Sequence, residues 1–258
     1  MLYSYKTHPA DLAKMNGTMT RNDLLRTIAA GSITAASLTS KSAVAEDAAV
    51  PQIPAKIDKP LTVAFVVGAH ANVMDLAGPW EVFQDSSGTG WSVPSFTLYT
   101  ISDGRKPIQG TGGLSLVPTY AFGDSRVPQP NVIAMGAQGD HTSAKIDWIR
   151  SASAKADVVM SVCTGAFLLA QTGLVDGLEA TTHHEFYDRF AAQHPNVKLK
   201  RNVRYVENSG GKFCSAGGIT SGIELALRVV ERYLGAQTSA ETALYMEYVR
   251  SRIPPTNA

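Results

Sequence analysis

From Leu61 onward, short apolar runs alternate along the chain with longer stretches whose apolar residues recur at helical spacing. The runs are rich in Val, Ile and Leu, which is typical of strands that are covered on both faces of a parallel sheet. Such strands are predicted at 61–67, 96–101, 131–135 and 157–162. Helices are predicted at about 75–83, 143–154, 164–172, 184–194, 218–234 and 238–250. This alternation predicts an α/β fold with a mostly parallel sheet sandwiched by helices.

Two segments depart from the alternation. The glycine-rich residues 109–113 predict a turn into a short strand at 114–117. Residues 202–207 and 212–216 predict a pair of strands joined by a turn at Ser209-Gly-Gly211. These features refine the fold class, but a fold class does not specify a function.

The first 55 residues have a different pattern. Basic residues come first, a mildly apolar stretch follows at 28–38, and Ala43-Val-Ala45 precedes a linker. This order is typical of a secretory signal, and Thr20-Arg21-Asn22 resembles a twin-arginine export motif with Asn22 in place of the second arginine. The alternative is a disordered tail. We predict a signal-like or disordered segment at 1–55, a folded domain at 56–258, and export to the periplasm or, alternatively, a cytoplasmic location.

Composition narrows the range of partners. The 258 residues carry 23 basic and 22 acidic side chains, a formal net charge of +1, so no charge excess suggests a nucleic acid partner. No apolar run approaches the length of a membrane span. The 2 cysteines and 6 histidines form neither a C-x-x-C nor an H-E-x-x-H motif. We therefore expect a small-molecule substrate and no metal or cofactor.

The most informative segment joins the strand at 157–162 to the following helix. It reads Ser161-Val-Cys163-Thr164-Gly165, a strand–nucleophile–helix pattern in which small residues flank a sharp turn. A turn of this kind projects the Cys163 thiol from the carboxyl edge of the sheet, where open α/β sheets bind ligands. The alternative interpretation of Cys163 is a small buried hydrophobe. Cys214 lies in a predicted hairpin strand and is expected to be structural.

The same turn suggests how the thiol could react. A helix N-terminus stabilises negative charge, so we expect the pKa of the Cys163 thiol to be low. The Thr164 N–H can point at negative charge that develops on a substrate. A second donor, and part of the pocket, is expected from the loop that contains Gly136 and Gly139.

Several motifs together resemble one family. They are Ser161-Val-Cys-Thr-Gly-Ala166, Thr172-Gly-Leu-Val-Asp-Gly177, Ala180-Thr-Thr-His-His184, Ala216-Gly-Gly-Ile-Thr-Ser-Gly-Ile-Glu-Leu-Ala226 and Met74-Asp75-Leu-Ala-Gly-Pro-Trp-Glu-Val-Phe83. In this order they resemble the ThiJ/PfpI superfamily of class I glutamine amidotransferase-like folds, and most of all its isonitrile hydratase-like subgroup. The resemblance implies a flavodoxin-like three-layer architecture. The same domain type serves as the sensor module of some AraC-type regulators.

The resemblance also implies roles for individual residues. Asp75, Cys163 and Thr164 match the Asp, Cys and Thr of isonitrile hydratases. Cys163 would attack the isonitrile carbon to form a thioimidate, Asp75 would shuttle the protons, and Thr164 would orient Asp75 or the water. Asp75 could instead be a helix N-cap, or serve both roles. Residues 136–139 depart from the Pro-Gly-Gly type of loop that many relatives have.

Other functions remain open at this point. A binding or sensor domain could have kept the pocket and lost turnover. A glyoxalase or deglycase is disfavoured, because those relatives typically carry Glu where this chain has Asp75. His183 could be an accessory acid or a substrate ligand in the pocket, or a helix-capping or surface residue.

A homodimer is also expected. Many members of the superfamily are homodimers with an interface near the nucleophile. In the predicted last helix, Leu244, Tyr245, Tyr248 and Val249 share one face, which could form an interface or close the protomer's own core.

Overall fold

A computed structural model describes residues 59–86 and 95–250, together with the strand at 256–257. The predicted signal-like segment at 1–55 lies outside these residues. The strands are β1 (Leu61–Val66), β2 (Phe96–Ser102), β3 (Ile108–Gln109), β4 (Ser115–Leu116), β5 (Tyr120–Ala121), β6 (Val132–Met135), β7 (Val158–Val162), β8 (Glu179–Ala180), β9 (Lys198–Leu199), β10 (Tyr205–Glu207), β11 (Phe213–Ala216) and β12 (Thr256–Asn257). The helices are α1 (Val73–Asp85), α2 (Ser143–Ser153), α3 (Gly165–Gln171), α4 (Tyr187–Gln193), α5 (Ser221–Leu234) and α6 (Ala236–Tyr245).

The central feature is an 8-stranded sheet in the order β12-β10-β11-β7-β6-β1-β2-β5. Its neighbouring strands run parallel except for β10 and β11, which pair antiparallel. Val66 is level with Met135, Met135 with Ser161, and Ser161 with Ser215. The carboxyl ends of β1, β6, β7 and β11 therefore meet at one edge of the sheet. The predicted α/β fold with a mostly parallel sheet is confirmed.

Two hydrophobic cores lie on opposite faces of this sheet. In β7, Val158, Met160 and Val162 pack on one face, whereas Val159 packs on the other, as expected from the alternation of side chains along a strand. The first face is covered by apolar residues of α1, α5 and α6, and the second by those of α2, α3 and α4. Among the described residues, no helix has the length and hydropathy needed to cross a membrane.

Some element boundaries differ from the predictions for local reasons. Helix α1 begins at Val73 instead of Asp75, because the Asn72 side chain caps it by accepting hydrogen bonds from the N–H groups of Met74 and Asp75. The last helix ends at Tyr245 instead of residue 250, and Glu247, with φ +52°, has left the helical conformation. Strand β10 begins at Tyr205, after Asn202, which also has a positive φ.

The junction between β7 and α3 depends on one close backbone approach. A Cβ atom placed on Gly165 would lie 2.4 Å from the Met135 carbonyl oxygen and 2.9 Å from the Gly136 carbonyl carbon. Both atoms belong to the backbone at the end of β6, so they cannot rotate aside as a side chain could. Glycine at 165 therefore allows the turn after β7 to pack directly against β6.

We expect Gly165→Ala to destabilise the fold by about 1–3 kcal/mol, because the added methyl group forces backbone displacement in a packed region. Urea unfolding monitored by circular dichroism measures the difference. Gly123→Ala is the matched control, since no atom lies within 4 Å of a Cβ placed there, and its effect should stay within about 0.5 kcal/mol. Equal effects of the two substitutions would contradict the close approach.

Candidate active site

Cys163 occupies a strained turn at the carboxyl end of β7. Its φ is +58°, a left-handed conformation that is costly for a residue with a Cβ atom. Its N–H donates to the carbonyl oxygens of Gly217 (2.8 Å) and Ala216 (3.2 Å). Its carbonyl oxygen accepts a hydrogen bond of 2.9 Å from the Thr182 hydroxyl. Three hydrogen bonds from separate parts of the chain thus hold the conformation that the nucleophile-elbow pattern predicts.

The thiol is buried, with 5% of the Cys163 surface exposed. The N–H groups of Thr164 and Ile219 hydrogen-bond to it and favour the thiolate, but burial, followed by the charge of Asp75, outweighs them and raises the pKa of the thiol to about 11. The prediction of a low-pKa thiol is therefore wrong. Burial destabilises the thiolate more than the two backbone hydrogen bonds stabilise it. Cys214 lies buried in β11, and burial raises the pKa of its thiol to about 12.

Asp75 lies in the first turn of α1 and is 2% exposed. Its Oδ2 accepts a hydrogen bond of 2.9 Å from the Ala137 N–H. Burial raises the pKa of its carboxyl to about 6, while the bonds with Ala137 and the Cys163 thiol counteract the rise. The interpretation of Asp75 as an N-cap is wrong, because Asn72 caps the helix.

Asp75 and Cys163 form a coupled pair. The thiol contact shifts the pKa values of both groups, yet Asp75 Oδ1 has no partner with good hydrogen-bonding geometry among the described residues. This oxygen is consequently available to accept a proton. At neutral pH the pair carries a carboxylate beside a protonated thiol, and its two groups titrate together. The arrangement places a base directly beside a thiol that is still protonated.

The loop after β6 supports Asp75 and leaves the second donor to another segment. Ala137 bonds to Asp75, and a Cβ atom on Gly136 would lie 2.5 Å from the Asp75 Cβ. The Gly139 N–H donates to the Ala69 carbonyl oxygen at 2.7 Å. The loop with Gly136 and Gly139 was expected to supply the second donor. Instead, the Ile219 N–H accompanies that of Thr164 at the sulfur.

A buried lysine holds this loop in place. The Lys145 side chain is fully buried, and its ammonium donates to Gln138 Oε1 (3.0 Å) and the Asp140 carbonyl oxygen (2.8 Å). Gln138 Nε2 donates to the carbonyl oxygens of Val66 (2.9 Å) and Gly136 (3.3 Å). Hydrogen bonds therefore connect Lys145 to the loop that binds Asp75. Lys145 lies on a helix with no distinctive motif, so the sequence did not indicate this role.

His183 lies beside the segment that carries the Ile219 donor. A Cβ atom on Gly218 would lie 2.5 Å from the His183 Cδ2 atom, and the ring stacks on His184 with 4.4 Å between centroids. Burial, followed by the charge of His184, lowers the pKa of His183. Its Nδ1 accepts a hydrogen bond from the Glu185 N–H, so the neutral ring carries its proton on Nε2. His183 is thus a capping residue that lies against Gly218, next to the Ile219 donor.

The Thr164 side chain forms no hydrogen bond with Asp75. It lines a polar groove of about 240 Å³ between α3 and α4. The groove walls are Gln138, His141, Thr164, Phe167, Gln171, Phe186, Arg189 and Gln193. In the described part of the chain, no group of three or more His, Cys, Asp or Glu side chains could hold a metal ion.

A sequence profile described as the DJ-1/PfpI family matches residues 61–232. The match begins with β1, includes Cys163 and its turn, and ends within α5. The chain belongs to the DJ-1/PfpI family. The resemblance deduced from the motifs is therefore confirmed.

Known relatives of this DJ-1/PfpI chain have different functions. Isonitrile hydratase of Pseudomonas putida is 30% identical over 194 residues, which are 73% of this chain and 78% of that enzyme. The HTH-type transcriptional regulator CdhR of Pseudomonas aeruginosa is 31% identical over 114 residues, which are 44% of this chain but only 32% of the regulator. A solved ThiJ/PfpI family structure from Pseudomonas syringae has a TM-score of 0.64 at 24% identity, covering 78% of this chain and 79% of that chain, and supports the fold.

Replacing Asp75 with Asn should lower the pKa of the Cys163 thiol, because it removes the negative charge that opposes the thiolate. We expect a decrease of roughly one unit or more, measured from the pH dependence of iodoacetamide labelling at Cys163 and read out by peptide mass. Asp124→Asn, which changes a carboxylate paired with Arg126, is the control. An unchanged midpoint in the Asp75 variant would mean that the two groups are not coupled.

Proposed function

We propose that this chain is a cysteine-dependent enzyme that hydrates isonitriles or a similar small electrophile. The observation that carries the proposal is the buried pair of Cys163 and Asp75, in which a neutral thiol adjoins a carboxylate whose pKa is raised to about 6. Similarity to an isonitrile hydratase over most of both chains supports it. The terminal carbon of an isonitrile can accept both a nucleophile and a proton, so a thiol beside a base suits its addition.

In the first step, Asp75 takes the thiol proton while the sulfur attacks the terminal carbon of R–N≡C. The new C–S bond uses the sulfur electron pair, a π pair of the C≡N bond moves onto the nitrogen, and the carbon keeps its own lone pair as the site of protonation. Asp75 then gives the proton to that carbon, which yields the thioimidate R–N=CH–S–Cys163. The Thr164 and Ile219 N–H groups stabilise the negative charge that forms on sulfur before attack.

In the second step, water adds to the thioimidate carbon. Asp75 passes one water proton to the imidate nitrogen, and the second water proton goes to the sulfur through Asp75 as the C=O bond forms and the C–S bond breaks. The sum is R–NC plus water giving the formamide R–NH–CHO, with no change in oxidation state. One carboxylate with a pKa near neutrality can serve both steps, because it must both accept and release a proton.

A second candidate is a ligand-binding sensor domain without turnover. The 5% exposure of Cys163 and the similarity to CdhR over 32% of that regulator favour this alternative. The two functions make different demands on the sulfur. An enzyme requires it for turnover, whereas a sensor needs only the shape of the pocket.

The proposal predicts that the chain hydrates small aliphatic isonitriles to formamides. Formation of the formyl group is measured by proton NMR. Asp75 acts as a base only when ionised, so kcat/KM should increase as the pH rises through about 6. The thiol must be protonated at the start, so no inflection is expected between pH 7 and 9.5. Cys163→Ala and Asp75→Asn should each lose turnover by about 10²-fold or more, whereas Cys214→Ser should retain it.

Full activity in Cys163→Ala would exclude covalent catalysis. Binding of an isonitrile to the wild-type chain without any turnover would support the sensor function instead.

We further propose that the chain forms a homodimer through the end of α6. Leu244 and Tyr245 are 79% and 60% exposed, and Val249, just beyond the helix, is 89% exposed. Tyr248 is half-buried and accepts a hydrogen bond from Arg204. Three exposed apolar side chains within six positions provide a surface that a second copy could cover.

Sedimentation equilibrium of the full chain should give a dimer mass at micromolar concentration, and Leu244→Glu should shift it toward the monomer. The matched control is Val117→Glu, another exposed apolar residue (67%) outside this patch. A stable dimer is expected to bury roughly 1,200 Å² or more. A single monomeric mass at all concentrations would contradict this prediction without affecting the proposed chemistry.

A further inference from the structure

The groove between α3 and α4 has one charged side chain in its wall. Arg189 lies at the rim, with its guanidinium carbon 5.6 Å from the centroid of the Phe167 ring. It forms no ion pair or hydrogen bond with the described residues. The nearby Asp188 is already paired with Arg201 at 2.6 Å. The guanidinium is therefore exposed, oriented by an aromatic ring, and available to an incoming anion.

The rest of the wall is neutral and rich in hydrogen-bonding groups. It includes no Asp or Glu, and burial lowers the pKa of His141, so this ring is neutral at pH 7. Gln171 and Gln193 present amides, while Phe167 and Phe186 provide apolar surface. The Gln138 amide is already bonded to Lys145, Val66 and Gly136. One cation among neutral amides and aromatic rings fits a small molecule with a single negative group and a short apolar or amide-bearing body.

We propose that this groove binds a small carboxylate, with Arg189 pairing with its carboxyl group. This inference rests on the proposed function, on which the carboxylate would be the unreactive end of the substrate. An acidic isonitrile would then be preferred over a neutral one.

The groove and the thiol lie on different sides of the sheet edge: Phe167 packs with the core on the α3 and α4 face, whereas Cys163 packs with the core on the other face. Two residues of the groove wall connect it to the reacting groups. Its wall includes Thr164, which directly follows Cys163, and Gln138, which belongs to the loop that holds Asp75. Cys163 is not part of the wall. A molecule held by Arg189 would therefore have to extend past Thr164 to reach the sulfur. The volume of about 240 Å³ is below the ~300–1,000 Å³ typical of pockets for drug-sized ligands, so the ligand is small.

The first test is binding, which does not depend on turnover. N-formylglycine is the formamide that isocyanoacetate would yield, and N-formylglycinamide is its neutral analogue. Isothermal titration of the full chain should give tighter binding for the acid, and Arg189→Gln should weaken that binding about fivefold, which is at the upper end of the range for a partly exposed charge pair. Arg189→Lys, which keeps the charge, should retain most of the affinity. Arg126→Gln, at an exposed arginine paired with Asp124 outside the groove, is the control.

The second test is catalytic preference. The ratio of kcat/KM for isocyanoacetate to kcat/KM for its methyl ester should exceed one in the wild type. In Arg189→Gln this ratio should fall at least about fivefold, and the fall should come from a higher KM for isocyanoacetate. Thermal unfolding checks that each variant is folded. If Arg189→Gln is unfolded, Arg189→Lys and the acid-to-amide ratio of the wild type decide the question.

The outcomes separate the two proposals. Acid-selective binding that depends on Arg189, without turnover of either isonitrile, supports the carboxylate site and contradicts the hydratase function. Turnover of both isonitriles with no acid preference and no effect of Arg189→Gln supports the hydratase and overturns the carboxylate site. Equal binding of N-formylglycine and its amide overturns it as well.

Discussion

The left-handed backbone of Cys163 is the constraint around which the rest of the site is arranged. A residue with a side chain remains in that conformation only when its surroundings hold it there. In this chain the Cys163 N–H donates to the Ala216 and Gly217 carbonyl oxygens, and the Thr182 hydroxyl donates to the Cys163 carbonyl oxygen. These hydrogen bonds couple β7 to β11 and to the segment after β8, so residues distant in the sequence converge on one sulfur. The close contact of Gly165 with the end of β6 completes this junction.

Burial and hydrogen bonding have opposite effects on the pKa of the Cys163 thiol. Two backbone N–H groups face the thiol, an arrangement often associated with a stabilised thiolate, yet desolvation and the neighbouring carboxylate dominate. The same burial raises the pKa of Asp75 toward neutrality. The two effects give a division of roles: the carboxylate is ionised in the resting state and the thiol is not. Lys145 supports this arrangement, because its ammonium donates a hydrogen bond to the loop whose Ala137 N–H binds Asp75.

Much of the fold and part of the site could be predicted from the sequence, because these features depend on the local pattern of residues. The apolar strands, the turn at Cys163 and the position of Asp75 near the start of a helix all follow from neighbouring residues. The Ile219 donor reaches the sulfur because β11 lies beside β7. The order of strands in a sheet cannot be predicted from any single segment, so the sequence did not indicate this donor. The pKa of Cys163 depends on burial by distant residues, so the helix N-terminus alone gave the wrong direction. The short strands β3, β5, β9 and β12, of two residues each, are too brief for any periodicity.

The protonated state of Cys163 has a consequence for oxidative chemistry. Peroxides oxidise thiolates and react slowly with neutral thiols, so cysteines that sense oxidants combine a low pKa with solvent access. Cys163 has neither property, because its sulfur is buried and its pKa is raised. The thiol therefore stays protonated in the resting protein, beside the carboxylate of Asp75. Desolvation of the Cys163 sulfur therefore also opposes its conversion to a sulfenic acid.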